Sequence, residues 1–250
     1  MSWLEAVAVL LAGMAAGAIN TIVGSGTLIT FPALLAVGYS PVLANVTNTV
    51  GLSPGSVSGA LGYRAELRGQ RRRLLQLGAA SMVGGITGGV LLLTLPEGAF
   101  QSIVVVLIAL SCVLVLIQPW LTARVASLSR HPEHGGIPLF VGVYLAGIYG
   151  GYFGAAQGVL LIALLGLFLA EDLQRINAAK NVLAAVVNVV TALLFIIVTD
   201  VAWVAAGLIA LGAIVGAQIG ARVGRRIPPT LLRGLVVLVG VVAIVQLVRG

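Results

Sequence analysis

The sequence predicts an all-α polytopic membrane protein of two inverted repeats, each a broken or re-entrant helical hairpin followed by three transmembrane helices. Three observations carry that prediction. Hydrophobic residues make up 60% of the 250 and charged residues only 8%, against about 25% charged in a soluble domain; too little polar material is present to coat a water-exposed surface. The apolar residues fall into ten segments, and six of these reach 18 residues or more, enough to cross a ~30 Å hydrocarbon core at ~1.5 Å per residue. The remaining four form two pairs, and each pair flanks a glycine-rich break. The breaks are Gly17–Pro32 (GAINTIVGSGTLITFP) and Gly147–Ile162 (GIYGGYFGAAQGVLLI), 130 positions apart.

In chain order, Trp3–Ile19 and Thr27–Val37 are the first pair, with Trp3–Ile19 nearly long enough to span. Three full spans follow: Pro41–Tyr63, Leu74–Leu95 and Ala99–Gln118. Residues 119–136 (PWLTARVASLSRHPEHGG) read as a hydrophilic connector, and the second pair is Ile137–Tyr149 with Val159–Ala170. Leu173–Thr199, Val201–Ala221 and Leu231–Val248 complete the second half. The division expected is a first repeat over 1–118, with its hairpin at 3–37, and a second over 137–250, with its hairpin at 137–170. The N-terminus carries Glu5 and no early Lys or Arg, which makes a poor signal peptide, so it is expected to stay in the mature protein.

Loop charge orients the spans. The net charge is +7, from 14 Lys plus Arg against 7 Asp plus Glu, and the positives cluster between apolar spans. That pattern fits membrane orientation and anionic headgroups rather than a nucleic-acid partner. Arg64, Arg68, Arg71, Arg72 and Arg73 place the loop after Tyr63 in the cytoplasm, whereas the turn at Pro96–Gly98, with Glu97 alone, faces outside. The connector carries Arg124 and Arg130 and returns inside; the turn at Asp200 has no positive charge and lies outside; Arg222, Arg225 and Arg226 mark the inside again. An odd number of crossings must separate the connector from Asp200. Leu173–Thr199 supplies one, so the 137–170 pair must start and finish on one face, as a re-entrant hairpin does. The first pair obeys the same logic from the opposite face, which makes the two halves inverted.

The repeat extends past the breaks. Gly17, Gly24 and Leu34 match Gly147, Gly154 and Leu164; after a three-residue slip Asn48 matches Asn181, and Gly85 and Gly89 match Gly216 and Gly220. These last lie in small-xxx-small runs, Gly84/Gly85 with Gly88/Gly89 and Gly212, Gly216, Gly220, Gly224, whose expected role is close helix packing. Such faces also permit a homodimer.

The chemistry is expected at the breaks. In each hairpin the second partial helix starts near the tip, at about Thr27 and about Gly158. Its first amides lack intrahelical partners and carry partial positive charge, so two such ends converging would hold an anion. Asn20, Ser25, Thr27 and Gln157 add hydrogen-bonding groups, and glycine lets the backbone turn and approach a ligand; the competing reading is kinking and packing by small residues alone. Asn45-Val46-Thr47-Asn48-Thr49 puts several polar side chains in one turn of a span, for site lining or for interhelical hydrogen bonds. Pro54, with Ser53 and Ser56, is expected to kink that helix. The counterpart, Asn177-Ala178-Ala179-Lys180-Asn181, carries Lys180 about seven residues into its apolar run. An intramembrane lysine either neutralises a bound anion, or snorkels or pairs with Glu171 or Asp172 at the hairpin end. Asn188 lies two turns further along that face.

Other chemistry is excluded or bland. No Asp or Glu lies deep within a span, so a carboxylate proton relay is unsupported. Cys112 is a lone mid-span cysteine expected to pack as a small hydrophobe. His131 and His134 lie in the connector, and no metal-ligand spacing, phosphate-binding loop or nucleophile–base pair is visible. The chain is therefore expected to be no enzyme and to need no cofactor.

Taken together, the duplicated break, Pro32 after the first, the Gly38 turn, the polar ANVTN helix and the second-half NAAKN stretch resemble the TauE/SafE sulfite exporter family over about residues 3–248. The resemblance implies a multi-pass protein of the bacterial cytoplasmic membrane that moves sulfite, sulfoacetate or a related sulfur-containing anion. Carried over by motif, it implies a substrate site of Asn20, Gly24, Ser25, Gly26, Thr27, Thr47, Asn48, Gly154, Gln157, Lys180 and Asn181. Family members often carry three or four consecutive glycines at each break; here the breaks read GSGT and GAAQG, so Ser25 and Gln157 are expected to alter the size and polarity of the pocket the resemblance implies. The expected activity is alternating-access transport of such an anion. An anion channel using the same tips, or a non-transporting membrane assembly or sensory protein, is the alternative.

Overall fold

A computed structural model describes residues 1–128, 136–223 and 229–249. The second part of the predicted connector (Arg130, His131, Glu133 and His134 included) and the loop with Gly224, Arg225 and Arg226 lie outside the described residues. The described chain forms α1 (Trp3–Ile22), α2 (Thr27–Ala36), α3 (Pro41–Gly62), α4 (Arg71–Thr94), α5 (Glu97–Leu128), α6 (Gly136–Tyr152), α7 (Gln157–Phe168), α8 (Leu173–Val198), α9 (Trp203–Val223) and α10 (Pro229–Arg249). No strand occurs among the described residues.

Local sequence explains the helix ends. Ser2 and Glu5 form a reciprocal capping box that starts α1. Ser40 precedes α3 and Pro41 takes its first position, where the missing N–H is no loss. Asp172 caps α8 by accepting from the amides of Gln174 and Arg175. The breaks fall where glycine is needed: Gly24 (φ +86°) ends α1 and Gly154 (φ +79°) follows α6, a left-handed conformation that glycine adopts without a Cβ clash.

Five described helices are long and apolar enough to cross a bilayer: Trp3–Ile22, Arg71–Thr94, Gly98–Leu121, Leu173–Val198 and Trp203–Arg222. Three helices differ from expectation in extent or polarity. The first is α1, which runs three residues past the expected Ile19 and at 20 residues is long enough to span. The second is α3, whose 22 residues match the predicted span and are more polar than those five. The third is α5, which runs through Pro119 to Leu128, so the first ten residues of the expected connector are helical. The Leu231–Val248 span falls within α10, whose apolar part is Val236–Val245. Large apolar side chains such as Leu11, Val106, Ile197 and Leu211 stay exposed on the outer faces, as lipid-facing positions do.

Glycine faces set the packing. A Cβ at Gly212, Gly216 or Gly220 of α9 would lie 2.3, 1.9 or 2.7 Å from the carbonyl oxygens of Leu10, Met14 or Ala18 of α1. At Gly84 or Gly88 of α4 it would lie 2.3 or 2.0 Å from those of Tyr144 or Ile148 of α6. Backbone-to-backbone approach of this kind supplies dispersion contact where lipid gives no hydrophobic drive. Gly84 and Gly88 thus hold α6, and Gly212, Gly216 and Gly220 hold α1.

The same contacts fix direction. Gly13 and Gly17 of α1 meet Ile209 and Ala213 of α9, and Gly51, Gly55 and Gly62 of α3 meet Ile209, Ala213 and Ala221. Hence α1, α3 and α9 run parallel. Gly84 and Gly88 of α4 meet Tyr144 and Ile148 of α6, while Gly85 and Gly89 meet Val187 and Leu194 of α8, so α4, α6 and α8 are parallel too. The pairs Ser56–Asn188 and Tyr63–Ala178 make α3 antiparallel to α8. Because α1 and α3 share a direction, the chain between them must double back through α2; because α6 and α8 share one, it must double back through α7.

On the face where α4 and α8 begin, Glu171 bonds Arg73 at 2.9 Å and Arg175 at 2.5 Å. Burial alone would raise the Glu171 carboxyl, but the hydrogen bonds from Arg175 and Arg73 outweigh it and hold the group below the usual carboxylate range. Arg175 also reaches the carbonyl of Arg68, and Gln70 that of Arg175. The exit of the second hairpin is thereby tied to the basic loop after α3.

Candidate functional site

The two breaks meet. The amide of Gly158 donates to the carbonyl of Gly24 at 3.1 Å, and a Cβ at Gly24 would stand 2.3 Å from the Cα of Gly158. The breaks are also built alike at the 130-residue spacing. Val23 and Gly24 both donate to Ile19, as Phe153 and Gly154 both donate to Tyr149; α2 opens at Thr27 and α7 at Gln157. The starts of the second partial helices agree with the sequence expectation to within a residue.

The donors next to the contact differ. Ser25 is fully buried and its Oγ has no partner; Gln157 is 3% exposed and its Nε2 has none. A buried polar atom without a partner costs about 1–3 kcal/mol, so two of them beside one backbone contact point to a ligand. The amide of Gly26 reaches only a 3.5 Å contact with Asn20 Oδ1. Among the α7 amides, Gly158 is already committed to Gly24, which the expectation of free helix-terminal donors did not anticipate. Ala156, just before α7, takes φ +59°, a conformation that costs a non-glycine residue about 1–2 kcal/mol.

The polar helices cap the ends of the first partial helices, and they do so across the halves. Lys180 is 0% exposed, and its Nζ donates to the carbonyls of Asn20 and Thr21, both at 3.1 Å. Asn177 and Asn181 donate to Thr21 as well. Lys180 therefore neither snorkels nor pairs with a carboxylate: Glu171 is taken by two arginines, Asp172 by the α8 amides. Its Nζ sits at the negative end of α1 and satisfies carbonyls that the break sets free. Its stem crosses the second break on the way, since a Cβ at Gly158 would lie 2.8 Å from Lys180 Cδ. In the other half Asn45 Nδ2 donates to the carbonyl of Tyr152 at 2.9 Å.

Of the predicted site residues, Asn20, Gly24, Ser25, Gly26, Thr27, Gln157, Lys180 and Asn181 gather around the meeting of the breaks. Gly154 makes the turn of the second break. Asn48 lies beside the first tip, donating to Thr27 Oγ1 at 3.3 Å and accepting a short bond from Thr30. Thr47 stands apart: its Oγ1 accepts from the amide of Ala202 at the start of α9. Asn188 and Asn20 both donate to Ser56 Oγ, at 2.7 and 3.4 Å. Sequence reasoning missed the carbonyl of Ala155, which accepts from Ser111 at 3.1 Å and, in a short bond, from Tyr149. Ser111 carried no signal beyond a polar residue in an apolar span. No cluster of metal-ligating side chains occurs among the described residues.

The model of the family described as Sulfite exporter TauE/SafE matches residues 9–247. The chain belongs to that family. It is 28% identical over 205 residues to the probable membrane transporter protein YfcA of Escherichia coli K12, covering 79% of this chain and 72% of that protein. It is 25% identical over 226 residues to a probable membrane transporter protein of Haemophilus influenzae, covering 90% and 88%. No solved structure matches. This TauE/SafE member is accordingly a multi-pass protein of the cytoplasmic membrane, of a membrane transporter family.

Proposed function

We propose that the protein is a secondary transporter that moves a small sulfur-containing anion, sulfite or an organosulfonate such as sulfoacetate, by alternating access, with the anion held where the two breaks meet. The observation that carries this is the pair of buried unpartnered donors, Ser25 Oγ and Gln157 Nε2, flanking the Gly24–Gly158 contact. A tetrahedral or pyramidal oxyanion accepts several hydrogen bonds at once, and the opening turn of α2 adds helix-terminal positive charge. Lys180 Nζ is spent on the end of α1, while its stem passes the tip. The family description supplies the sulfur-anion class.

Two inverted repeats, the first ending with α5 and the second starting at α6, are the architecture that suits this mechanism. What supports them is the direction of the helices: α1 and α3 run against α6 and α8, and each hairpin rests on the partner half, α1 on α9 and α6 on α4. Rocking one such unit on the other would expose the shared tips to alternate sides.

The test is uptake into proteoliposomes of sulfite, thiosulfate, sulfoacetate, taurine and chloride, with and without a pH gradient. Saturable, counterflow-competent flux of one sulfur anion is expected. Non-saturating current carried by chloride would make the tips a channel, and absence of any flux would remove the transport reading.

A further inference from the structure

We propose a binding site for a small monovalent cation of the sodium class at the end of α6, formed by the carbonyls of Gly150 and Gly151 with Asn45 Oδ1. The two breaks correspond at a spacing of 130 residues. In the first break the carbonyls that α1 sets free are those of Asn20 and Thr21, and the ammonium of Lys180 binds both. Their counterparts are Gly150 and Gly151. Tyr149 accepts from Phe153 and Gly154 just as Ile19 accepts from Val23 and Gly24, and the next two carbonyls accept no hydrogen bond among the described residues. Both glycines are buried.

No built-in cation serves this end. The position that corresponds to Lys180 after the three-residue slip is Thr47, uncharged and bonded to Ala202. The side chain that does reach the end of α6 is Asn45, through Nδ2 to the carbonyl of Tyr152. Asn45 is 0% exposed and its Oδ1 has no partner. Turning the amide over would bring oxygen against the Tyr152 carbonyl, so the free atom is the acceptor. The end of α6, the negative pole of a helix, thus leaves carbonyls free and is met by a buried side chain whose own acceptor is free, features that favour positive charge. Every acceptor is a neutral carbonyl or amide oxygen. With no carboxylate to balance a second charge, the set suits a monovalent alkali ion rather than calcium or magnesium, which take carboxylates.

The site lies against the proposed anion site. A Cβ at Gly150 would stand 2.4 Å from Cδ and Nε2 of Gln157, so the side chain holding the unpartnered donor rests directly on a residue of the cation site. A cation there would lower the cost of bringing an anion to Gln157 and fix that side chain in place. This linkage rests on the anion reading of the tips; the cation site itself does not.

Cation binding can be read without transport. The purified full-length protein in detergent is titrated with NaCl or choline chloride at constant ionic strength. Thermal unfolding is followed, and bound 22Na+ is counted at equilibrium. A sodium-specific rise in melting temperature with saturable 22Na+ binding is expected. Asn45→Leu should abolish sodium binding and Asn45→Ser, which keeps a smaller oxygen ligand and a donor, should weaken it; the serine variant keeps the test informative should the leucine variant misfold. Equal melting in both salts, or sodium binding unchanged in both variants, would overturn the site. Sodium binding without sulfur-anion flux in proteoliposomes would retain the cation site and sink the anion reading; the reverse result would do the opposite.

Discussion

Replacing Gly24 with alanine tests whether the two breaks rest on one another, and Gly38→Ala supplies the control. Both glycines have strongly positive φ, +86° and +98°, so both substitutions carry the same kind of backbone strain, about 1–2 kcal/mol. Their surroundings differ. A Cβ at Gly38 meets nothing within 4 Å, whereas at Gly24 it lies 2.3 Å from the Cα of Gly158. Ordinary contact begins near 3.4 Å, so the start of α7 must retreat by about 1 Å, which overpacking data put at about 1–3 kcal/mol. The retreat also stretches the 3.1 Å bond from Gly158 to Gly24, worth about 0.5–1.5 kcal/mol. Gly24→Ala should therefore destabilise by about 2–4 kcal/mol more than Gly38→Ala. Equilibrium unfolding in mixed micelles measures the difference. If the two variants unfold alike, the breaks do not carry each other and the site built on their contact fails.

Four further outcomes follow from the same geometry. Ser25→Ala and Gln157→Leu each remove a buried unpartnered polar group, so they should leave stability unchanged or raise it by up to ~1–3 kcal/mol, while raising the KM for the transported anion; stability and flux assays on the same preparations read both. Lys180→Met leaves the Asn20 carbonyl without a donor, since Thr21 keeps Asn177 and Asn181, and should cost about 1–3 kcal/mol in unfolding experiments. Glu171 is held below its ordinary range by Arg175 and Arg73; its contribution is present above the unfolded carboxyl value and is lost as pH falls through the folded one. Glu171→Gln should thus lower neutral-pH stability and flatten the acid limb of a stability–pH profile. Gly88→Ala, whose Cβ would lie 2.0 Å from the carbonyl of Ile148, should destabilise far more than Gly78→Ala, which meets open space, in a thermal unfolding comparison.

Much of the helix order, and the place of both breaks, was legible in the sequence because glycine and charge report directly on backbone need. A positive φ at Gly24 and Gly154, backbone contacts at Gly84, Gly88, Gly212 and Gly216, and the arginines before α4 each leave a residue-type signature. Lys180 stood out for the same reason, as a charge where lipid forbids one. Its partners did not, because they are backbone carbonyls, and any sequence supplies those; a search for carboxylates led to Glu171 and Asp172, which are occupied elsewhere. Thr47 and Asn48 looked equivalent on one polar turn, yet adjacent positions on a helix point about 100° apart. Asn48 faces the first tip and Thr47 the start of α9. The length of α1 misled in the other direction: its 20 residues permit a crossing, and only its parallel alignment with α3 requires the chain to return. Ser111 escaped notice because its value lies in the carbonyl of Ala155, 44 positions away.

The central claim, an anion held by the paired tips, is tested most directly by sulfur-anion counterflow in proteoliposomes bearing the Ser25→Ala/Gln157→Leu double variant beside the unaltered protein. A folded, correctly inserted variant should need a much higher anion concentration for half-maximal exchange, with the maximal rate far less affected. Exchange with an unchanged KM would place the anion elsewhere and contradict the account.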